Sequence, residues 1–76
     1  MKPEYTERFR RLGIQIARHR RRKGMTQMEL AKKAGISRTH MSNIEAAGMD
    51  KGISMELLFC LADILEVPVE ELLKPV

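Results

Sequence analysis

Residues 26–45, TQMELAKKAGISRTHMSNIE, decide the fold. They predict two short helices around a tight glycine turn. Thr26 is placed to N-cap the first, its hydroxyl accepting from a backbone N–H two or three residues on. Glu29, at the third helical position, can reach back and complete a capping box. Met25 and Leu30 stand at hydrophobic-staple positions. Gly35 ends the helix, where a left-handed conformation costs little without a Cβ. Ser37 caps the second helix, with Ile36 and Met41 as its staple. Leu30, Ala31 and Ala34, then Met41 and Ile44, form the inward faces. Arg38, Thr39, Ser42 and Asn43 are left outward on the second helix, hydrogen-bonding side chains of modest length that suit the base edges of a major groove.

TQMELAKKAGIS followed by IE resembles the helix-turn-helix of the lambda-repressor/Cro (XRE) family of DNA-binding regulators. The resemblance continues upstream through LG at 12–13, IA at 16–17, Arg20 and GMTQ at 24–27. Downstream it takes in SMELLFCLADILEVPVEELL at 54–73, so it covers nearly the whole chain. It implies an all-α, five-helix, lambda-repressor-like DNA-binding domain with helices two and three as the helix-turn-helix. The function it implies is a sequence-specific regulator of transcription on double-stranded DNA, acting as a repressor.

The 76 residues suit one small domain, 1–76, with a single core. No apolar run is long enough to span a membrane, and the N-terminus carries no signal-peptide pattern. A lone cysteine, Cys60, excludes an internal disulfide and suits a reducing cytoplasm. No Trp, one Tyr and two Phe argue against stacking platforms for single-stranded nucleic acid. The net charge of +4 is unevenly spread. Residues 1–26 hold nine basic and two acidic groups, whereas residues 54–76 hold one basic and five acidic. The basic end leads into the helix-turn-helix, so the acidic end is expected away from phosphate.

Along the chain, residues 1–5 read as a loose arm, with Pro3 either stiffening it or opening a helix. A first helix is expected from about Thr6 to Lys23, with Phe9, Leu12, Gly13, Ile16 and Ala17 at three- and four-residue spacing. Gly24 stops it. Gly13 inside it costs roughly 1 kcal/mol against alanine, which a close helix crossing would explain. The run Arg18-His19-Arg20-Arg21-Arg22-Lys23 complements the helix dipole or touches phosphate, Arg22 and Lys23 being the candidates for contact. By the resemblance, Arg20 pairs internally with Glu45, and Gln27 in the first turn of helix two meets phosphate. Lys32 and Lys33 read as solvated.

Helix three, Arg38 to about Ala46, is the expected recognition helix. Arg38 suits guanine and Thr39 a thymine methyl or polar edge. Ser42 reads an edge, and Asn43 a base or a phosphate. The bland alternative for each is a surface polar residue without a base contact. His40 is assigned to phosphate, with a local cap or a rim position as its alternatives, and no zinc ligands stand near it in sequence. The loop AAGMDKGI at 46–53 has one cation, Lys51. Its amides are a candidate backbone clamp, although the family's common linker is shorter and more basic. Ser54 caps helix four, about 55–65, whose polar stripe is narrow. A last helix is expected from Pro68 to about Lys74.

The surplus of apolar residues on helix four and the last helix, with Phe59, Val69, Leu72 and Leu73 foremost, predicts a homodimer through that end. The chain shows no catalytic constellation, so it does not read as an enzyme. No cofactor, metal or small-molecule effector is expected. Two other roles fit the same fold: a protein-interaction module such as an antitoxin or adaptor, and a restriction-modification-type controller.

Overall fold

A computed structural model describes residues 2–46 and 52–76. Among these it contains five helices and no strand: α1 Pro3–Arg22, α2 Gln27–Ala34, α3 Arg38–Glu45, α4 Met55–Leu65 and α5 Val69–Leu72. The first helix starts earlier than its apolar spacing implies. Pro3 occupies the opening helical position, with Lys2 as N-cap. There the missing N–H forfeits no helical bond, and the fixed φ of proline favours the helix. The expected loose arm is thereby corrected to helix from residue 3.

The local signals at the other ends are met by their own chemistry. Thr26 Oγ1 accepts from the Glu29 N–H at 3.1 Å, and Glu29 Oε1 accepts from the Thr26 N–H at 2.9 Å. Gly35 adopts φ +72° and closes α2. Ser37 and Ser54 each accept from the N–H three residues on, capping α3 and α4. The last helix is shorter than expected. Pro68 is its N-cap, and only four residues follow before the chain turns out at Leu73. Glu66 ends α4 at φ +58°, a left-handed position occupied here without glycine.

α2 and α3 pack together, α1 crosses α3, α4 lies on α2, and α5 bridges α1 and α4. Ile16, Leu30, Met41, Ile44, Leu61 and Leu72 are fully buried at the centre. α4 is therefore covered from several sides, which accounts for its narrow polar stripe.

Gly13 sits at the α1–α3 crossing. A Cβ there would lie 2.3 Å from the Ile44 carbonyl oxygen and 3.2 Å from Glu45 Cα. Both are backbone atoms, so relief requires moving a helix. Gly13→Ala is expected to lose the roughly 1 kcal/mol of helix propensity it gains, and a further 1–3 kcal/mol or so to overpacking. Circular-dichroism melting should show a clear drop for Gly13→Ala, with exposed Arg18→Ala as an unchanged control. A Gly13→Ala melting temperature at or above wild type would refute the constraint.

Candidate nucleic-acid interface

The Ser37 cap projects α3 so that Arg38, Thr39, His40 and Asn43 are exposed, while Ser42 is half-buried. Arg38 and Thr39 occupy the first turn, and Ser42 and Asn43 the next. His40 lines a pocket of about 310 Å³ between α3 and the start of α4, with Ile36, Glu56 and Cys60 among its other walls. Met41 and Ile44 anchor the opposite side of α3 in the core.

Behind α3 lies a buried joint of three side chains. The Arg20 guanidinium grips Glu45 through two N–H donors, at 2.8 Å from Nε and 3.0 Å from Nη2. A third donor, Nη1, reaches the Met25 carbonyl at 2.7 Å. The Arg20 and Glu45 side chains are only 9% and 4% exposed. Gln27 adds Nε2 to Glu45 Oε1 at 3.0 Å. The end of α1, the start of α2 and the end of α3 are thus tied to one carboxylate. Charge-assisted, bidentate geometry of this kind compensates desolvation and fixes orientation. Gln27 is half-buried at the first position of α2, next to exposed Met28.

The basic run at the end of α1 divides between two sides of the helix. At 100° per residue, Arg22 lies 200° around from Arg20. Arg20 faces α3, whereas Arg22 and Lys23 turn to the acidic end of the chain. Lys23 donates to Glu66, and that hydrogen bond holds the Glu66 carboxyl below its usual range. The Glu71 carboxyl is likewise lowered, chiefly by its bond from Lys74, with His19 and Arg22 adding their charge. His19 is buried. Arg22 and Lys23 are thus placed by their charge against the acidic end of the chain. Lys51, with the loop over 47–51, lies outside the described residues.

Some site features had no signal in the sequence. The Gln27–Glu45 bond joins residues 18 apart, and the Lys23–Glu66 pair joins residues 43 apart. Gln15 is buried and donates to the carbonyls of Lys74 and Pro75, pinning the end of the chain to α1. Leu72 requires a correction. It is fully buried in the chain's own core and has no surface to offer another subunit. Val69 is half-buried against that core, while Phe59 and Leu73 are exposed.

Among the described residues, no cluster of His, Cys, Asp or Glu is placed to hold a metal ion, and no helix is long and apolar enough to cross a membrane.

The helix-turn-helix family profile matches residues 16–72. Among solved structures, the chain is similar to the biofilm master regulator SinR in complex with DNA. The two are 33% identical over 83% of this chain and 98% of that one, with a TM-score of 0.74. The restriction-modification controller C.AhdI from Aeromonas hydrophila is 25% identical, over 84% and 94% of the two chains, with a TM-score of 0.76. The hypothetical transcription factor NHTF from Neisseria is 29% identical, over 90% and 76%, with a TM-score of 0.81. No curated protein sequence matches the chain.

Two stability predictions follow from the ion pairs. Arg20→Ala leaves the Glu45 carboxylate buried without its partner and should cost roughly 3–5 kcal/mol. Arg22→Ala should melt close to wild type, so equal losses for both variants would contradict the division of the run. Glu66→Gln should melt below wild type at neutral pH. A lowered carboxylate contributes stability above its unfolded pKa and loses it as pH falls through the folded value. The gap should therefore close on acidification below the ordinary carboxylate range, and a gap independent of pH would reject the Lys23–Glu66 contribution.

Proposed function

Because the chain belongs to the Cro/C1-type (XRE) helix-turn-helix family, we propose that α3 enters the major groove of double-stranded DNA. It is a DNA-binding transcriptional regulator. The observation that carries the docking is the exposure of Arg38, Thr39 and Asn43, with half-buried Ser42, on a helix locked to the core by Met41, Ile44 and Glu45.

In this reading Arg38 pairs with guanine O6 and N7, Thr39 meets a thymine methyl or a polar edge, and Ser42 and Asn43 take the next positions. Gln27 holds phosphate through the amide hydrogen that Glu45 leaves free, aided by the unpaired N–H groups of the first turn of α2. His40, and Lys51 with the loop amides, also meet phosphate. Arg22 and Lys23 are further candidates for phosphate contact. Two copies read a pseudo-palindrome with half-sites about one helical turn apart, and occupancy of a promoter represses. Exposed Phe59 and Leu73 support the pairing of copies.

The likeness to C.AhdI favours a second reading, a restriction-modification-type controller, with the same DNA chemistry in a different circuit.

Selection from a randomised duplex pool near physiological salt should enrich an inverted repeat. A single enriched half-site would remove the symmetric pair, and no enrichment by folded protein would move an interaction-module role ahead. On the enriched site, Arg38→Ala should cost roughly 1–3 kcal/mol and relax preference at one position. Gln27→Ala should weaken all sequences alike and reduce the salt slope by about one contact. Uniform weakening by Arg38→Ala would instead make Arg38 a phosphate contact.

A further inference from the structure

On the side of α1 that faces α5 lies an apolar groove of about 210 Å³, walled by Tyr5, Phe9, Leu12 and Leu73. It adjoins a second hollow of about 250 Å³ that shares Arg8, Leu12 and Leu73 with it and adds Arg11. Tyr5 and Leu73 are exposed large side chains, 44% and 61% accessible, so the apolar wall stands in water.

The rim is cationic and largely unspent. Arg8 has no acidic partner among the described residues, and its guanidinium lies over the Tyr5 ring at 5.6 Å from the centroid. Arg11 reaches Glu7 only at 3.6 Å, while Glu7 is already bound by Arg10 through two shorter bonds. The groove therefore asks for an apolar side chain accompanied by carboxylates.

The same chain carries such a segment. On α4, Phe59 is 49% exposed. Glu56 stands three residues before it and Asp63 four residues after, so all three lie on one helix face. Glu56 and Asp63 are exposed and form no ion pair among the described residues. The two acids and the phenyl ring on α4 complement in charge and polarity the two arginines and the apolar wall of α1.

We propose that the occupant of the groove is Phe59 of a second copy of this chain, with Glu56 and Asp63 of that copy set against Arg8 and Arg11. This rests on the pairing of copies proposed above and specifies its contact. In a two-fold assembly each copy gives its Phe59 and receives the other's, so the contact occurs twice about the axis. The charges fix which faces meet, and the apolar burial holds them. All of these residues lie off α3 itself.

The test is sedimentation of wild type, Arg8→Glu/Arg11→Glu, Glu56→Lys/Asp63→Lys and an equimolar mixture of the two variants, at tens of micromolar. Wild type should be a dimer. Each variant alone juxtaposes like charges and should dimerise at least about tenfold more weakly. The mixture restores opposite charges at both contacts and should return to within a few-fold of wild type. Leu73→Asp, a change at an exposed position, should also give monomers, and thermal melts of every variant verify folding. Variants that dimerise like wild type, or a mixture that stays monomeric beside a dimeric wild type, would overturn this contact and leave the dimer standing. Wild type that is monomeric both free and on its selected DNA would overturn the dimer reading itself, and the contact with it.

Discussion

One buried carboxylate organises the DNA-facing half of this molecule. Glu45 takes two donors from Arg20 and one from Gln27, and the same guanidinium closes on the Met25 carbonyl. Three helix ends meet there, and each is short or terminal, where hydrogen bonds of the helix itself run out. An ion pair so deeply buried adds little net stability compared with a well-packed apolar group, but removing one partner is costly. Its contribution is therefore one of geometry. Gly13 completes the joint. Its missing side chain lets α1 approach the end of α3 closely enough for Arg20 to reach Glu45. The close crossing and the ion pair depend on each other. A wider crossing would open the bond lengths, and without the bond the crossing would bring backbone together for dispersion alone.

What was legible in the sequence is what acts over a few residues. Thr26 with Glu29, Ser37, Ser54 and the glycines at 24 and 35 announce helix ends because a cap and its target lie within one turn. The apolar spacing of α1 and α4 gave their faces for the same reason. The exposed set on α3 was readable by subtraction, once Met41 and Ile44 were assigned inward. The start of α1 and the length of α5 were read less well. The start of each turns on a proline, and sequence alone does not say whether such a proline lies before the helix or inside it; the early end of α5 at Leu72 had no signal of its own. The bonds of Gln27, Lys23 and Gln15 join residues 18, 43 and 59 apart. Side chains of that kind have many possible partners, and only the packing of α1 on α3, α4 and α5 selects one. Leu72 was misread for a related reason. Surplus apolar residues near a chain end look like an interface until the fold shows that its own core consumes them.

Charge along the sequence also overstates the footprint available to DNA. Residues 1–26 are strongly basic, yet the fold spends much of that charge internally. Arg20 is buried on Glu45, Arg10 holds Glu7, Lys23 holds Glu66, and His19 and Arg22 lie near Glu71. The acidic end of the chain is thus partly neutralised by the end of α1, against which it folds. The total charge of the basic run therefore does not by itself measure the charge offered to DNA.

Reading base edges places the demand on short-range contacts. In the proposed docking, only Arg38 has long reach, while Thr39, Ser42 and Asn43 must come close to the base edges to read them. Close approach requires phosphate anchors at fixed distances from α3, because a small displacement breaks short hydrogen bonds. Gln27 is such an anchor in this reading, and it shares Glu45 with the far end of α3. Anchor and reader are then held on one rigid joint, so the spacing between a phosphate and a base edge is set inside the protein before DNA arrives. A single module of this size makes a small interface with DNA. In the proposed reading, precision in each half-site and pairing of two copies are complementary solutions to that small interface: the buried carboxylate would serve the first, and the apolar residues left outside the core the second.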